Sequence, residues 1–202
     1  AVSELSRFVS ESGETHRLAA KHLIRYIKGT KDLGLRFSRP CDAKLDTLWG
    51  YVDSDWAGCP DSRKSTTGFV LMFGGAAISW KSKRLSVVAL SLAEAEFMAA
   101  SSLVQEVIYI RKLLANLGFA QNEPTRIFED NRTCVAWSEG SIGGSDRAKH
   151  IDLRVHFVHE AVQAGVLTLE VIKKSADNVA DLLIKPLPRP SFQMLRKQLL
   201  GL

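Results

Sequence analysis

Between Arg17 and Lys28 the chain reads as an amphipathic helix. Ala20, Leu23, Ile24 and Ile27 share one stripe at helical spacing, and Arg17, Lys21, Arg25 and Lys28 share another. Gly29 and Gly34 end this segment, and Arg39-Pro40 reads as a connection. Short runs rich in β-branched and aromatic residues follow. Leu48–Val52, Phe69–Phe73 and Ala77–Trp80 predict three strands, with Gly74-Gly75 as a hairpin turn between the last two. From Ala93 to Leu117 there is neither Pro nor Gly and the apolar period is helical, which predicts one long helix. Thr125–Phe128 reads as a short strand, with a helix after Asn131 and a Gly-rich loop from Gly140 to Gly144. A helix over Val155–Val162, a strand over Val166–Ile172 and a helix over Val179–Leu183 come next. Pro186, Pro188 and Pro190 set off a terminal amphipathic helix, Phe192–Leu200. The order β-β-β-α-β-α-α-β-α predicts an α/β domain around a mixed sheet of about five strands flanked by helices.

Composition narrows the class. With 202 residues, 46% hydrophobic and 24% charged, the chain suits one packed domain with a small appendage and is not disordered. No run of about 18 apolar residues occurs, so no membrane-spanning helix is expected. The start, Ala1-Val2-Ser3-Glu4-Leu5, has no basic stretch leading into an apolar core, so no secretory signal is expected. Cys41, Cys59 and Cys134 are odd in number and outside any Cys-x-x-Cys spacing, which argues against a zinc ribbon or disulfide framework and fits a reducing compartment. The net charge of +5 is uneven: residues 1–40 hold 8 Lys and Arg against 4 Asp and Glu, the remainder 19 against 18. A basic arm on a near-neutral body points to a polyanionic partner.

The candidate chemistry lies in the acids. Asp53 closes the first strand, Asp130 the fourth, and Asp181 sits in the first turn of a late helix. Adjacent strand ends bring such carboxylates to one edge of an α/β sheet. Glu94 and Glu96 head the long helix roughly 200° apart, so one of them can face the sheet. Steps of three and four from Glu96 meet Ala99, Ala100, Leu103, Val107, Ile110 and Leu114, the apolar stripe; steps from Glu94 reach Ser101 and Gln105. Glu96 is therefore expected on the core side, where a carboxylate needs a compensating cation or partner. Four carboxylates without Cys or His suit Mg²⁺ or Mn²⁺. The same acids also fit solvated caps at strand and helix ends, with Asp130 as a helix N-cap.

Motifs extend these readings. Asp53-Ser54-Asp55-Trp56-Ala57-Gly58, Arg63-Lys64-Ser65-Thr66-Thr67-Gly68, Ile78-Ser79-Trp80-Lys81-Ser82-Lys83, Glu94-Ala95-Glu96, Asp130-Asn131, Lys149-His150-Ile151-Asp152, His156-Phe157, Ala180-Asp181 and Lys185-Pro186-Leu187 follow one another from about Leu48 to the C-terminus. In order and spacing they resemble the ribonuclease H region of copia-type LTR retrotransposon Pol polyproteins. Leu5-Ser6-Arg7-Phe8 and Arg25-Tyr26-Ile27-Lys28-Gly29-Thr30 resemble the segment that joins reverse transcriptase to that region. The resemblance implies a ribonuclease H-like fold over residues 41–202, ending in an amphipathic helix, and a helical connection segment over 1–40. It implies an endonuclease that hydrolyses the RNA strand of RNA–DNA hybrids with two Mg²⁺ ions, Mn²⁺ substituting, held by Asp53, Glu96, Asp130 and Asp181. Glu96 and Asp130 would bracket the scissile phosphate, Asp53 would bridge both ions and Asp181 would complete one shell. A reverse transcriptase in the parent polyprotein is the implied partner, inside the cell, in virus-like particles or the nucleus. The alternative is a module that binds hybrid, or braces a reverse transcriptase, without cutting. Cellular ribonucleases H carry a His on the loop before the last Asp, and Lys173-Lys174-Ser175-Ala176-Asp177-Asn178 has none.

Substrate contacts are candidates at the cations. Trp80 with Lys81, Lys83 and Arg84 mixes an aromatic with positive charge, as hybrid binders do. Lys81, Lys83 and Arg84 are expected at phosphates, while Trp80 at a strand end also fits the core. His150 fits a phosphate contact or a structural hydrogen bond. Arg17, Lys21, Arg25 and Lys28 form a stripe about 16 Å long, suited to tracking a phosphate backbone. His156-x-x-His159-Glu160 offers a zinc-like spacing, and also that of core or surface positions on one helix.

Overall fold

The apolar runs from Leu48 onward pair into one sheet in the computed structural model, which describes residues 1–38, 46–140 and 149–202. Its strands are β1 (Trp49–Ser54), β2 (Thr66–Phe73), β3 (Ala76–Arg84), β4 (Thr125–Glu129) and β5 (Leu167–Val171). They lie in the order β3-β2-β1-β4-β5. β1, β2 and β3 form an antiparallel meander, whereas β4 runs parallel to β1 and β5 parallel to β4. Gly74 and Gly75 both take positive φ, 62° and 86°, the conformation a tight β2–β3 hairpin demands.

Helices cover both faces. α3 (Leu92–Asn116) and α5 (Lys149–Gln163) pack with α4 (Arg132–Ser138) on one side. There Val52, Phe69, Phe97, Leu103, Ile127 and Leu167 form the main core. On the other face α6 (Asp181–Ile184) and α7 (Arg189–Leu200) cover β2 and β3, with Val70, Met72, Val179 and Leu195 between them. Burial on both faces explains why β2 reads as a continuous apolar run, without alternation. The mixed five-stranded α/β architecture agrees with the expectation. No described helix is long and apolar enough to cross a membrane.

The described chain divides into two compact units, Ala1–Gly34 and Leu35–Leu202. The first holds α1 (Val2–Ser6) and α2 (Glu14–Gly29). α2 buries none of its residues, so its apolar stripe is not a core face: Ile24 is 64% and Ile27 56% exposed. The predicted Gly-rich loop falls largely outside the described residues, as does Cys41.

Candidate functional site

Parallel pairing of β1 with β4 sets the site. Their register aligns Tyr51 with Phe128, and two residues further along both strands stand Asp53 and Asp130. Asp53 lies within β1, whereas Asp130 follows the last residue of β4. Glu96 enters from the N-terminal turns of α3, 2% exposed. Ligand oxygens of Asp53, Glu96 and Asp130 all lie within 4.8 Å of one another, the sole grouping of this kind among the described residues. Asp181 stands outside that trio as the first residue of α6, beside Asp53. The structure thus brings three of the four acids into one cluster and puts the fourth at its flank.

Burial and mutual repulsion raise these carboxyls. Asp53 is pushed up to about 9 by burial first, then by the Asp181 carboxyl and the charge of Asp130, against the opposing pull of Lys185. Glu96 is pushed up to about 10 by burial, with Glu129, Asp53 and Asp130 adding repulsion and the nearby Ser54 hydroxyl opposing. Asp53 Oδ2 and Glu96 Oε2 are buried with no hydrogen-bond partner. Buried carboxylate oxygens without a hydrogen-bond partner, on an all-oxygen donor set, fit a hard divalent cation. His159 Nδ1 meets the Ser138 carbonyl at 3.0 Å, which absorbs one member of the zinc-like pair.

One expectation about the acids is corrected, and a second buried carboxylate is found. Asp130 is not the helix cap: Asn131 is, its Oδ1 accepting the Thr133 N–H at 2.9 Å and the Cys134 N–H at 3.3 Å. Glu94, on a different face of the helix from Glu96, is buried as well. It is 4% exposed, and its Oε2 accepts the Leu90 N–H at 2.6 Å, tying down the loop before α3. Ser91 caps the helix by accepting the Glu94 N–H. Two carboxylates on different sides of one helix are both buried, because the approach to the helix folds over the second.

Three neighbours went unrecognised in the sequence. Glu129 is fully buried, with Oε1 accepting the Asn131 N–H at 3.0 Å and Oε2 unpartnered, and it is pushed up to about 8, chiefly by burial. Its signal was the alternation of β4, where Thr125 and Ile127 face the core and Glu129 follows two residues on. Lys185 Nζ lies 2.6 Å from Asp181 Oδ1 and 3.7 Å from Asp53 Oδ2. Asn178, fully buried, donates to the Val52 carbonyl. Asn178 had no local signal, and Lys185 stood in the Lys185-Pro186-Leu187 motif without being assigned to the site. Burial and the Glu129 and Glu96 charges hold the Cys134 thiol well above its ordinary value.

The expected substrate contacts are scattered. Lys81 and Lys83 are exposed on β3, two strands from Asp53, with Lys81 Nζ 5.9 Å from the Phe69 ring. Arg84 is half-buried, its Nη1 3.8 Å from Cys59 Sγ. Trp80 is 55% exposed, so it is not a core residue. Arg17, Lys21, Arg25 and Lys28 are all exposed on α2, Arg17 being paired to Glu14. The side chain of His150 lies outside the described residues.

Fold and site define an α/β domain with a buried carboxylate cluster able to hold a metal ion. Its homologues are retrovirus-related Pol polyproteins of plant transposons. The chain is 39% identical over 203 residues to the Pol polyprotein from transposon TNT 1-94 of Nicotiana tabacum, covering 100% of this chain and 15% of that protein. It is 35% identical over 193 residues to that from transposon RE1 of Arabidopsis thaliana, covering 96% of this chain and 13% of the relative. It therefore spans a small part of the polyproteins it matches. Among solved structures, LC11-RNase H1 in complex with RNA/DNA hybrid is similar with a TM-score of 0.49 and 13% identity, over 68% of this chain and 94% of that one. No protein-family model matches the chain.

Proposed function

We propose that this chain is a ribonuclease H domain that hydrolyses the RNA strand of RNA–DNA hybrids during retrotransposon reverse transcription. The observation that carries this reading is the meeting of Asp53, Glu96 and Asp130 at the ends of β1, α3 and β4, in a chain similar along its whole length to Pol polyproteins. Asp53, Glu96, Asp130 and Asp181 would hold two Mg²⁺ or Mn²⁺ ions. When bound, such ions activate a water and stabilise the leaving oxygen of a phosphodiester. The chain's own part is to present ionised oxygens in a rigid frame. Parallel strands fix Asp53 against Asp130, and Glu129 backs the cluster from the core.

Lys81, Lys83 and Arg84 would hold the hybrid by its phosphates, and discrimination for RNA would rest on 2′-hydroxyls and groove shape. Residues 1–40 would join the domain to a reverse transcriptase. The exposed apolar stripe of α2 supports contact with another protein surface, since such a stripe is unfavourable in water. The test is cleavage of labelled RNA–DNA hybrid, double-stranded RNA and duplex DNA, with and without Mg²⁺. Metal-dependent cutting of the hybrid's RNA strand is expected; no cutting by a folded, metal-bound chain would leave a non-cleaving binder.

A further inference from the structure

Pro186 decides where Lys185 goes. A residue before proline is driven from the helical region, and Lys185 takes φ −135° and ψ 153° at the end of α6. Its ammonium turns back by one helical turn to Asp181 Oδ1 at 2.6 Å and Asp53 Oδ2 at 3.7 Å. Both acids are buried, while the Lys185 side chain is 42% exposed. The positive charge thus reaches the acids from solvent, on a flexible stem.

The surrounding backbone holds that arrangement. Ser82 Oγ donates to the Leu183 carbonyl, pinning α6 to β3. Gly68, paired with Asp53 across β1 and β2, leaves room for α6. A β-carbon there would fall 2.7 Å from Ile184 Cγ2 and 3.0 Å from Leu183 Cβ. Gly68, Ser82 and Pro186 together place an ammonium against two of the four acids.

A divalent cation and this ammonium compete for the same oxygens. Like charges a few ångströms apart in a poorly solvated site repel strongly, so the two cannot share the pair. Resting on the metal-binding reading above, we propose that Lys185 is a built-in counter-ion, a positioning residue that holds Asp53 and Asp181 together until an incoming divalent cation displaces it. Lysine suits the task better than arginine. Its compact charge on a four-carbon stem swings out by bond rotation, whereas a guanidinium fork would grip the carboxylate at two points. The ammonium lowers affinity for cations at Asp53 and Asp181, the two acids it meets directly, and its charge is felt at Asp130 as well.

The test uses the full chain with Lys185→Gln and Lys185→Arg. Mn²⁺ binding is measured by calorimetry and by the electron paramagnetic resonance signal of free Mn²⁺, and melting temperature is measured in chelator and in saturating Mn²⁺. Lys185→Gln is expected to bind Mn²⁺ about tenfold more tightly at one site, the factor that accompanies about 1.4 kcal/mol. It should melt lower than the parent in chelator, with the gap closing in Mn²⁺, and Lys185→Arg should not gain affinity. A lysine that merely braces the fold would lower melting equally in both conditions and leave Mn²⁺ affinity unchanged, and that result overturns the counter-ion. Equal Mn²⁺ affinity in parent and Lys185→Gln rejects the counter-ion alone. Failure of both to bind Mn²⁺ rejects the metal-binding reading along with it.

Discussion

The buried amide of Asn178 donates to the Val52 carbonyl at 3.2 Å, and its Oδ1 accepts the Ala180 N–H at 3.1 Å. Val52 precedes Asp53 and Ala180 precedes Asp181, so one side chain ties together the two backbones that carry these acids. Asn178→Ala leaves a buried carbonyl and a buried N–H without partners, and is expected to cost about 1–3 kcal/mol in denaturant unfolding. Cleavage should fall further than the loss of folded protein accounts for, because α6 loses its tie to β1. Unchanged cleavage per folded molecule would mean that Ser82 and the core hold Asp181 in place without Asn178.

Asp130 is the acid most open to a conservative test, since Asn131 and not Asp130 caps α4. Asp130→Asn should leave the melting temperature nearly unchanged and reduce cleavage by well over tenfold, the factor for about 1.4 kcal/mol of barrier. Hybrid binding should persist or strengthen, because one negative charge leaves the phosphate site. Retention of a tenth or more of the activity would remove Asp130 from the ligand set.

Glu94 and Glu96 are both buried, yet their roles separate. Glu96→Gln should abolish cleavage as Asp130→Asn does. Glu94→Gln weakens the hydrogen bond to the Leu90 N–H and is expected to cost about 1 kcal/mol of stability while leaving the turnover rate close to that of the parent. Steady-state cleavage with chemical denaturation of both variants distinguishes them; equal losses of rate would place Glu94 at the reacting groups.

The raised carboxyls make metal-free stability depend on pH with a definite sign. Asp53 is raised to about 9 and Glu96 to about 10 in the folded chain, against ordinary values of 3.8 and 4.5. Between those limits the folded state binds more protons than the unfolded state, so this contribution is complete below pH ~4 and is lost as pH rises towards 9–10. Melting temperature in chelator should therefore fall between pH ~5.5 and ~8.5. Divalent cations require the ionised form, so the stabilisation on adding Mg²⁺ should grow over the same range. Glu96→Gln should flatten the metal-free profile and raise its alkaline end.

The basic stripe of α2 makes a salt-dependent prediction. Replacing Arg17, Lys21, Arg25 and Lys28 by Ala should make the slope of log affinity against log salt shallower by up to about 3 units, similarly for every hybrid sequence. Arg17 should contribute least, because Glu14 already neutralises it. Binding isotherms at several salt concentrations measure this; an unaltered slope would take α2 off the path of the hybrid and leave its exposed face to a protein.

Much of this was legible along the chain because periodicity is local. Short runs of β-branched and aromatic residues marked the strands, an uninterrupted helical period marked α3, and the stripe through Ala99, Leu103 and Val107 put Glu96 on the core side. Strand and helix ends also named the four acids. Their convergence, and everything that balances them, came from the tertiary structure. Glu94 is buried because Leu90 folds back over it, which no helical wheel contains. Trp80 is exposed because β3 forms the edge of the sheet. Asn178 reaches β1 across 126 positions of sequence, and Lys185 meets Asp53 only because Gly68 lets α6 lie against β2. Sequence determines which side chains share a face of one element, since backbone geometry repeats every two or 3.6 residues. Which charges face each other across elements depends on packing between distant segments, and that decides how the buried acids of this protein are held.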